Sequence, residues 1–413
     1  MKILQALIIL CLLLPTSIHA EMELTELKAA FVRDGYLWTN INQKEEKITT
    51  ERANYTSSLA WSFDGSKLLY QKQGKDASQN EIWVYDTNTK QHTKIFYDGS
   101  DAKWSPVENI IAFKSQDVLN ISDLKTFYNI ALGVCDYEWQ PDGKGFVASS
   151  RAVLQPTGWT NPILYNISMK QAYQHIKNLT ANAEELFVIP TEVKKGDVSV
   201  MAIQATDFSY SPDAKWISFI VSPPASMSMD SNMLCVISND GKSFEAIDEI
   251  ILHLDNPKWA LKKNRLAYIA GGGRIVLGFK DKDLKVTELP SSTAVSLTPP
   301  NYAELGFTWV NDRSLTVSRV KESKWSNEPE KRPKPALYDL DISGYGQKLI
   351  TVPPEGYGDY DPEFHSSIKK MTWIRKADLT DSTGDLWIAD RYGENAQLWI
   401  ENVEIYSLFS SDR

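Results

Sequence analysis

An all-β propeller of four-stranded blades is the fold this sequence predicts, and three observations predict it. A single pattern recurs along the chain: an aromatic residue, a short polar turn, then an apolar run. Successive copies are separated by 43, 35, 71, 49, 50 and 55 residues, and repetition near 50 with strands inside each unit is propeller spacing. Aromatic residues make up 11% of the 413, which favours strands over helices.

The copies are "AWSFDGSKLLYQ" (60–71), "KWSPVENIIAFKS" (103–115), "EWQPDGKGFVASS" (138–150) and "SYSPDAKWISFIV" (209–221), then "KWALKKNRLAYIA" (258–270), "TWVNDRSLTVSRV" (308–320) and "EFHSSIKKMTWIR" (363–375). The anchor aromatics are Trp61, Trp104, Trp139, Tyr210, Trp259, Trp309 and Phe364. Each anchor belongs to a first strand, and Asp-Gly, Asn-Asp or Pro-Asp supplies the tight connection. The apolar run is a second strand, unbroken in hydrophobes because blades cover both its faces. Third strands read as "EIWVYD" (81–86), "PILYNIS" (162–168), "MLCVIS" (233–238), "ALYDLDI" (336–342) and "DLWIAD" (385–390). Fourth strands are more polar, as in "HTKIFY" (92–97), "QKLITV" (347–352) and "AQLWIE" (396–401), which suits an exposed sheet edge. The 71-residue gap leaves room for an insertion near 181–206, expected as a hairpin or loop on one face.

Residues 29–50 read as second, third and fourth strands without a first, and "VEIYSLF" (403–409) follows a complete seventh unit. Pairing the two ends in one blade removes exposed edges and gives eight blades, the count expected here. If 403–409 only hangs on the last unit, the count is seven. Ahead of this single propeller domain (21–413), residues 1–20 read as an export signal: Lys2, the apolar run 3–14, Pro15, and Ile18 and Ala20 before the cut. That run is shorter than the roughly 20 residues of a spanning helix. No membrane span is therefore expected after cleavage, and the chain is placed in the periplasm, cell envelope or extracellular space. Cys135 and Cys235 lie in apolar strands, where a buried free thiol is the simpler state.

The unit W-S-P-D-G-K-x-I-A-F followed by x-I-W-V-x-D resembles the TolB-type (WD-like) β-propeller repeat, over nearly the whole chain. Similar repeats occur in the propellers of prolyl-oligopeptidase-like enzymes. The resemblance implies the fold and little of the role, because this repeat serves binding modules, scaffolds and enzymes alike. TolB itself carries a separate α/β domain before its propeller, for which residues 21–28 leave no room. A peptidase relative would carry a Gly-x-Ser-x-Gly elbow, and none occurs here.

The net charge of −9 argues against a nucleic-acid partner, which would need a basic face. No His or Cys pair has metal-ligand spacing, so neither a metal nor any other cofactor is expected. The acidic stretch "YGDYDPEFH" (357–365) reads as a loop leading into a strand, and "GGG" (271–273) as a turn. Stacking the repeats aligns Asp101, Asp136, Asp207 and Asp361 three residues before their anchors, with bases Arg151, Arg319 and Arg375 ending second strands and Arg33 in the same place at the N-terminus. These charges either pair with one another or line a channel-mouth funnel for a small polar or anionic ligand or a partner's peptide. Trp325, in the charged loop 321–335, and the Met-bearing loop 223–232 are further contact candidates on that face. The function expected is therefore a non-catalytic binding or scaffold propeller, monomeric, with no catalytic residues assigned. The alternative is a propeller lyase or hydrolase acting on a saccharide or peptide at the channel mouth.

Overall fold

The computed structural model describes residues 27–409, apart from 57–58, 77, 170–171, 225–226, 228–230, 252–253, 273–277, 292 and 344–345. The export signal expected over 1–20 lies outside the described residues, as do parts of 223–232 and 271–273. What is described is almost wholly antiparallel β-sheet, and its strands fall into sets of four. The innermost strands are Ala60–Trp61, Ser100–Trp104, Asp136–Trp139, Gln204–Tyr210, Lys258–Trp259, Tyr302–Asn311 and Gly358–His365, and each carries a predicted anchor. An eighth set joins the two ends of the chain: Ile405–Phe409 pairs with Lys28–Arg33, followed outward by Tyr36–Ile41 and Lys44–Lys47. The sets containing Gln204–Tyr210 and Lys258–Trp259 touch through one pair, Ile250 with Ala270.

The apolar second strands behave as their composition requires. Along Lys67–Gln73, Leu68 and Tyr70 enter the cluster shared with Phe31-side neighbours Ala30, Val32 and Leu37, while Leu69 faces Ile111 and Phe113 on the other side. Side chains alternate across a strand, so a strand between two blades must be apolar on both faces. A buried cluster fills each space between successive sets, including that between Leu386 and Ile388 near the C-terminus and Phe31 near the N-terminus. Each fully buried Phe or Leu contributes about 1.5–3 kcal/mol.

Anchor aromatics do more than fill this core. The indole N–H of Trp104 donates to the Ala60 carbonyl at 2.9 Å, that of Trp309 to Lys258 at 2.8 Å, and that of Trp259 to Ser209 at 3.1 Å. Trp61 reaches the Ser407 carbonyl in the same way at 3.2 Å. Ala60, Lys258 and Ser209 each immediately precede the neighbouring set's anchor, so one hydrogen bond repeats from sheet to sheet, and Ser407 supplies it from the terminal strand.

The expected insertion near 181–206 is smaller than the sequence implied. Ala183–Val188 is the outermost strand of its set, and only the hairpin Glu192–Lys195/Val198–Met201 is extra. The "EELFV" segment hid its strand because its exposed edge is acidic. The loop 321–335 is likewise not a free loop. Ser323–Lys324 pairs with Gly278–Phe279, and Arg332 reaches Asp378 at 2.5 Å, tying the loop to the sets on either side.

Candidate functional site

Three of the four predicted bases are held by carboxylates of the protein. Arg319 is buried, its Nε 2.7 Å from Glu304 Oε1 and its Nη1 2.6 Å from Gln347 Oε1, with Tyr338 against the guanidinium. Arg375 holds Asp359 with two bonds of 2.7 and 3.0 Å and lies over Trp387. Arg33 pairs with Glu45 at 2.7 Å and lies over Phe31. These three guanidiniums are paired, as the first of the two sequence readings had it, though with carboxylates other than the aligned aspartates. Only Arg151 of the four is exposed, 3.7 Å from Cys135 Sγ. The acids Glu304 and Asp359 were missed because they stand five residues before their anchors, where cross-strand register sets them opposite Arg319 and Arg375.

Trp325 is also committed. It stacks on Phe279 with centroids 5.9 Å apart, under the Arg332 guanidinium at 3.8 Å. The pairing of 323–324 with a neighbouring strand leaves it half-buried against Phe279.

The repeated aspartates owe their position to backbone geometry. Asp101, Asp207 and Asp361 have φ of 52°, 57° and 51°, in the left-handed region. Each sits where the first strand slips register against the second. Asp tolerates this conformation better than most residues, and such slips re-aim side chains. Asp101 pairs with Lys114 at 2.9 Å, and Asp136 accepts the Asp207 backbone N–H at 2.8 Å. Burial lifts the Asp136 carboxyl above its usual range, against the pull of Lys103.

Asp361 differs. It opens into a cavity of about 670 Å³ on the channel side of the innermost strands, lined by Asp255, Lys258, Trp309, Glu363, Phe364 and Tyr406, among others. Asp255 is occupied: it meets Lys258 Nζ at 2.9 Å and accepts the Phe307 N–H at 2.9 Å. Lys258 also donates to the Phe307 carbonyl at 2.6 Å. Among the described residues, the Asp361 and Glu363 carboxylates have no hydrogen-bond or ion-pair partner. Solvent reaches Asp361 through the cavity, yet protein crowds it closely. That burial raises its carboxyl above the usual range, opposed by Lys376 and Lys258 and reinforced by Asp255. Burial likewise pushes the Tyr406 hydroxyl well up, helped by Asp361, Glu363 and Asp255. Of this group the sequence assigned Asp361 to the site and aligned Asp255 with the same ring of acids, four residues before its anchor; Glu363 lay in the acidic stretch 357–365, read as a loop leading into a strand. Tyr406 could be placed only once the terminal strand was seen to complete the first set. Among the described residues, no group of three His, Cys, Asp or Glu could hold a metal ion.

No protein-family model and no curated protein matches this sequence. Solved structures do match in fold. A dihydro-heme d1 dehydrogenase in complex with DHE is 13% identical over 94% of this chain and 75% of its own, with a TM-score of 0.59. A eukaryotic initiation factor is 14% identical over 93% of this chain and 87% of its own, at 0.55. A puromycin-hydrolysing peptidase from Mycobacterium tuberculosis is 13% identical over 86% of this chain, at 0.53, and this chain spans about half (54%) of its length. TolB from Acinetobacter baumannii is also among the matches, at 13% identity and a TM-score of 0.37, too low to carry an argument. The chain is a β-propeller in fold; identities this low say nothing of role. Among the described residues, no helix is long and apolar enough to cross a membrane.

Proposed function

We propose that this chain is an exported, non-catalytic binding propeller that takes a small polar ligand, or a side chain of a protein partner, into the channel-side cavity. One observation carries this reading: two carboxylates, Asp361 and Glu363, face a cavity without partners while neighbouring Asp255 is fully engaged. Unpaired charge in a confined space is retained at a cost in stability, and binding is the commonest use of such a site. The anionic ligand expected from an arginine funnel has no support, since three of the four guanidiniums are spent on internal carboxylates. Export rests on Lys2, the apolar run 3–14 and the small residue Ala20.

The test uses protein purified from the host envelope or medium, whose first residue should be Glu21. Wild type and a cavity-filling Thr308→Trp variant are exposed to envelope extract, and bound components are read by mass spectrometry. At least one component should be held by wild type and missing from the variant. Identical sets would remove the cavity from the function. Turnover of a saccharide or peptide panel by wild type, abolished in Asp361→Asn, would instead favour the lyase or hydrolase reading, in which the raised Asp361 carboxyl serves as acid or base.

A further inference from the structure

The cavity has two kinds of wall. Asp255, Asp361 and Glu363 bring three carboxylates to the cavity wall against Lys258, which Asp255 and the Phe307 carbonyl already occupy. The Lys376 ammonium, held over the Tyr360 ring, acts on Asp361 without an ion pair, so the Asp361 and Glu363 carboxylates together keep a net negative charge with no direct partner. Around them stand Trp259, Leu261, Trp309, Pro362 and Phe364, which offer rings and methyl groups. An anion would meet repulsion here, and a neutral polyol would leave the surplus charge unanswered. A hard metal ion asks for six to eight close oxygens, which rings and aliphatic carbons do not supply. A protonated amine on an apolar stem answers both walls: the ammonium to the carboxylates, the stem to the rings, with a cation–π contribution from the indoles. The volume of about 670 Å³ falls within the usual range for small-molecule sites.

We infer that the cavity binds an organic ammonium group carried on an apolar or aromatic stem, by the Asp361 and Glu363 carboxylates over the wall formed by Trp309 and Phe364. This rests on the proposed use of the cavity as the binding site. The amine belongs either to a small molecule or to a lysine side chain of a partner, and the probes separate the two. Asp361 and Glu363 would fix the charge of the ligand, and Thr308 at the cavity wall would limit its bulk.

Isothermal titration of the full mature chain would compare phenethylamine, phenethyl alcohol and 3-phenylpropanoate, which share one stem and differ in charge, together with Nα-acetyl-lysine methylamide. Phenethylamine should bind about tenfold or more tightly than the alcohol, and the carboxylate should give no heat. Tighter binding of the lysine derivative than of phenethylamine would assign the amine to a partner protein, and the reverse to a small molecule. Asp361→Asn and Glu363→Gln should each weaken amine binding by about fivefold, and the pair should abolish it. Their melting temperatures should match or exceed wild type, which separates lost binding from lost fold. Equal binding of alcohol and amine, or no binding of either amine, would overturn the inference. Neither result touches the comparison of wild type with Thr308→Trp in extract, so the cavity could still be the site for another ligand class.

Discussion

At the scale of single residues, Asp361 shows how one position serves both backbone and cavity. Its left-handed φ of 51° gives the innermost strand its slip, and that slip turns the carboxylate into the channel-side cavity. The carboxyl sits above its ordinary range because burial outweighs the neighbouring ammoniums of Lys376 and Lys258, with Asp255 adding repulsion and Glu363 and Tyr406 nearby. A carboxyl raised on folding binds its proton more tightly in the native state. Stability is therefore lost as pH rises from the unfolded value through the folded one. Asp361→Asn should melt slightly higher than wild type at pH 7, with the difference closing below about pH 4. Equal melting curves at both pH values would show that Asp361 ionises without penalty. The spacing of the aspartates was legible in the sequence, but their reason was not. Stacked repeats show which positions agree; they do not show that a register slip sets Asp359, not Asp361, opposite Arg375.

Whole elements were more legible than sites, because strand alternation and turn chemistry are local properties. The Ser-x-Asp turn after the anchors Trp61 and Tyr210 is a case where the structure adds a function to a correct reading. In the second set, Asp64 Oδ1 accepts from Ser62 and Ser66 while Oδ2 accepts from Asn109 of the next set. Asp213 repeats this with Ser211 and with Asn264. Burial opposes the charge at Asp213, but these bonds win and hold its carboxyl at about 2. The turn thus closes its own hairpin and fastens the neighbouring sheet. The residue after each Asp must adopt a left-handed conformation: Gly65 has φ 63° and Gly143 φ 70°, but Ala214 takes φ 57° with a β-carbon in the way. Ala214→Gly should accordingly stabilise the protein by about 1 kcal/mol in urea unfolding. Gly65→Ala should destabilise it by more, because a β-carbon there would stand 2.4 Å from the Phe409 ring. A loss of stability in Ala214→Gly would show that the turn relaxes around its alanine. Loop 321–335 was misread for the opposite reason: Phe279 and Asp378, the partners of Trp325 and Arg332, are far away in sequence, so the stacking and pairing cannot be seen locally.

For the molecule as a whole, the joining of the two chain ends decides how the sheets hold together. Strand Ile405–Phe409 gives Lys28–Arg33 its inner partner, accepts the Trp61 indole at Ser407, and buries Leu408 and Phe409 between neighbouring sheets. It also places Tyr406 in the cavity. Removing residues 404–413 would expose the full inner edge of Lys28–Arg33 and open two interior clusters at once. Loss of two large buried side chains alone amounts to about 3–6 kcal/mol, a large share of the roughly 5–15 kcal/mol that holds a typical domain folded. An unpaired inner edge is also a template for strand addition. The truncated chain should therefore lose the cooperative melt of the full chain and self-associate on a sizing column. A peptide of residues 403–409 added in trans should restore the melt in part, since the missing strand makes its contacts through backbone pairing and a few buried side chains. A truncated chain that stays monomeric and melts within about 2 °C of the full chain would mean that the terminal strand decorates the first sheet without holding it. Restoration by the peptide, together with return of amine binding, would tie closure of the sheets to assembly of the cavity, since Tyr406 enters that wall only through the terminal strand.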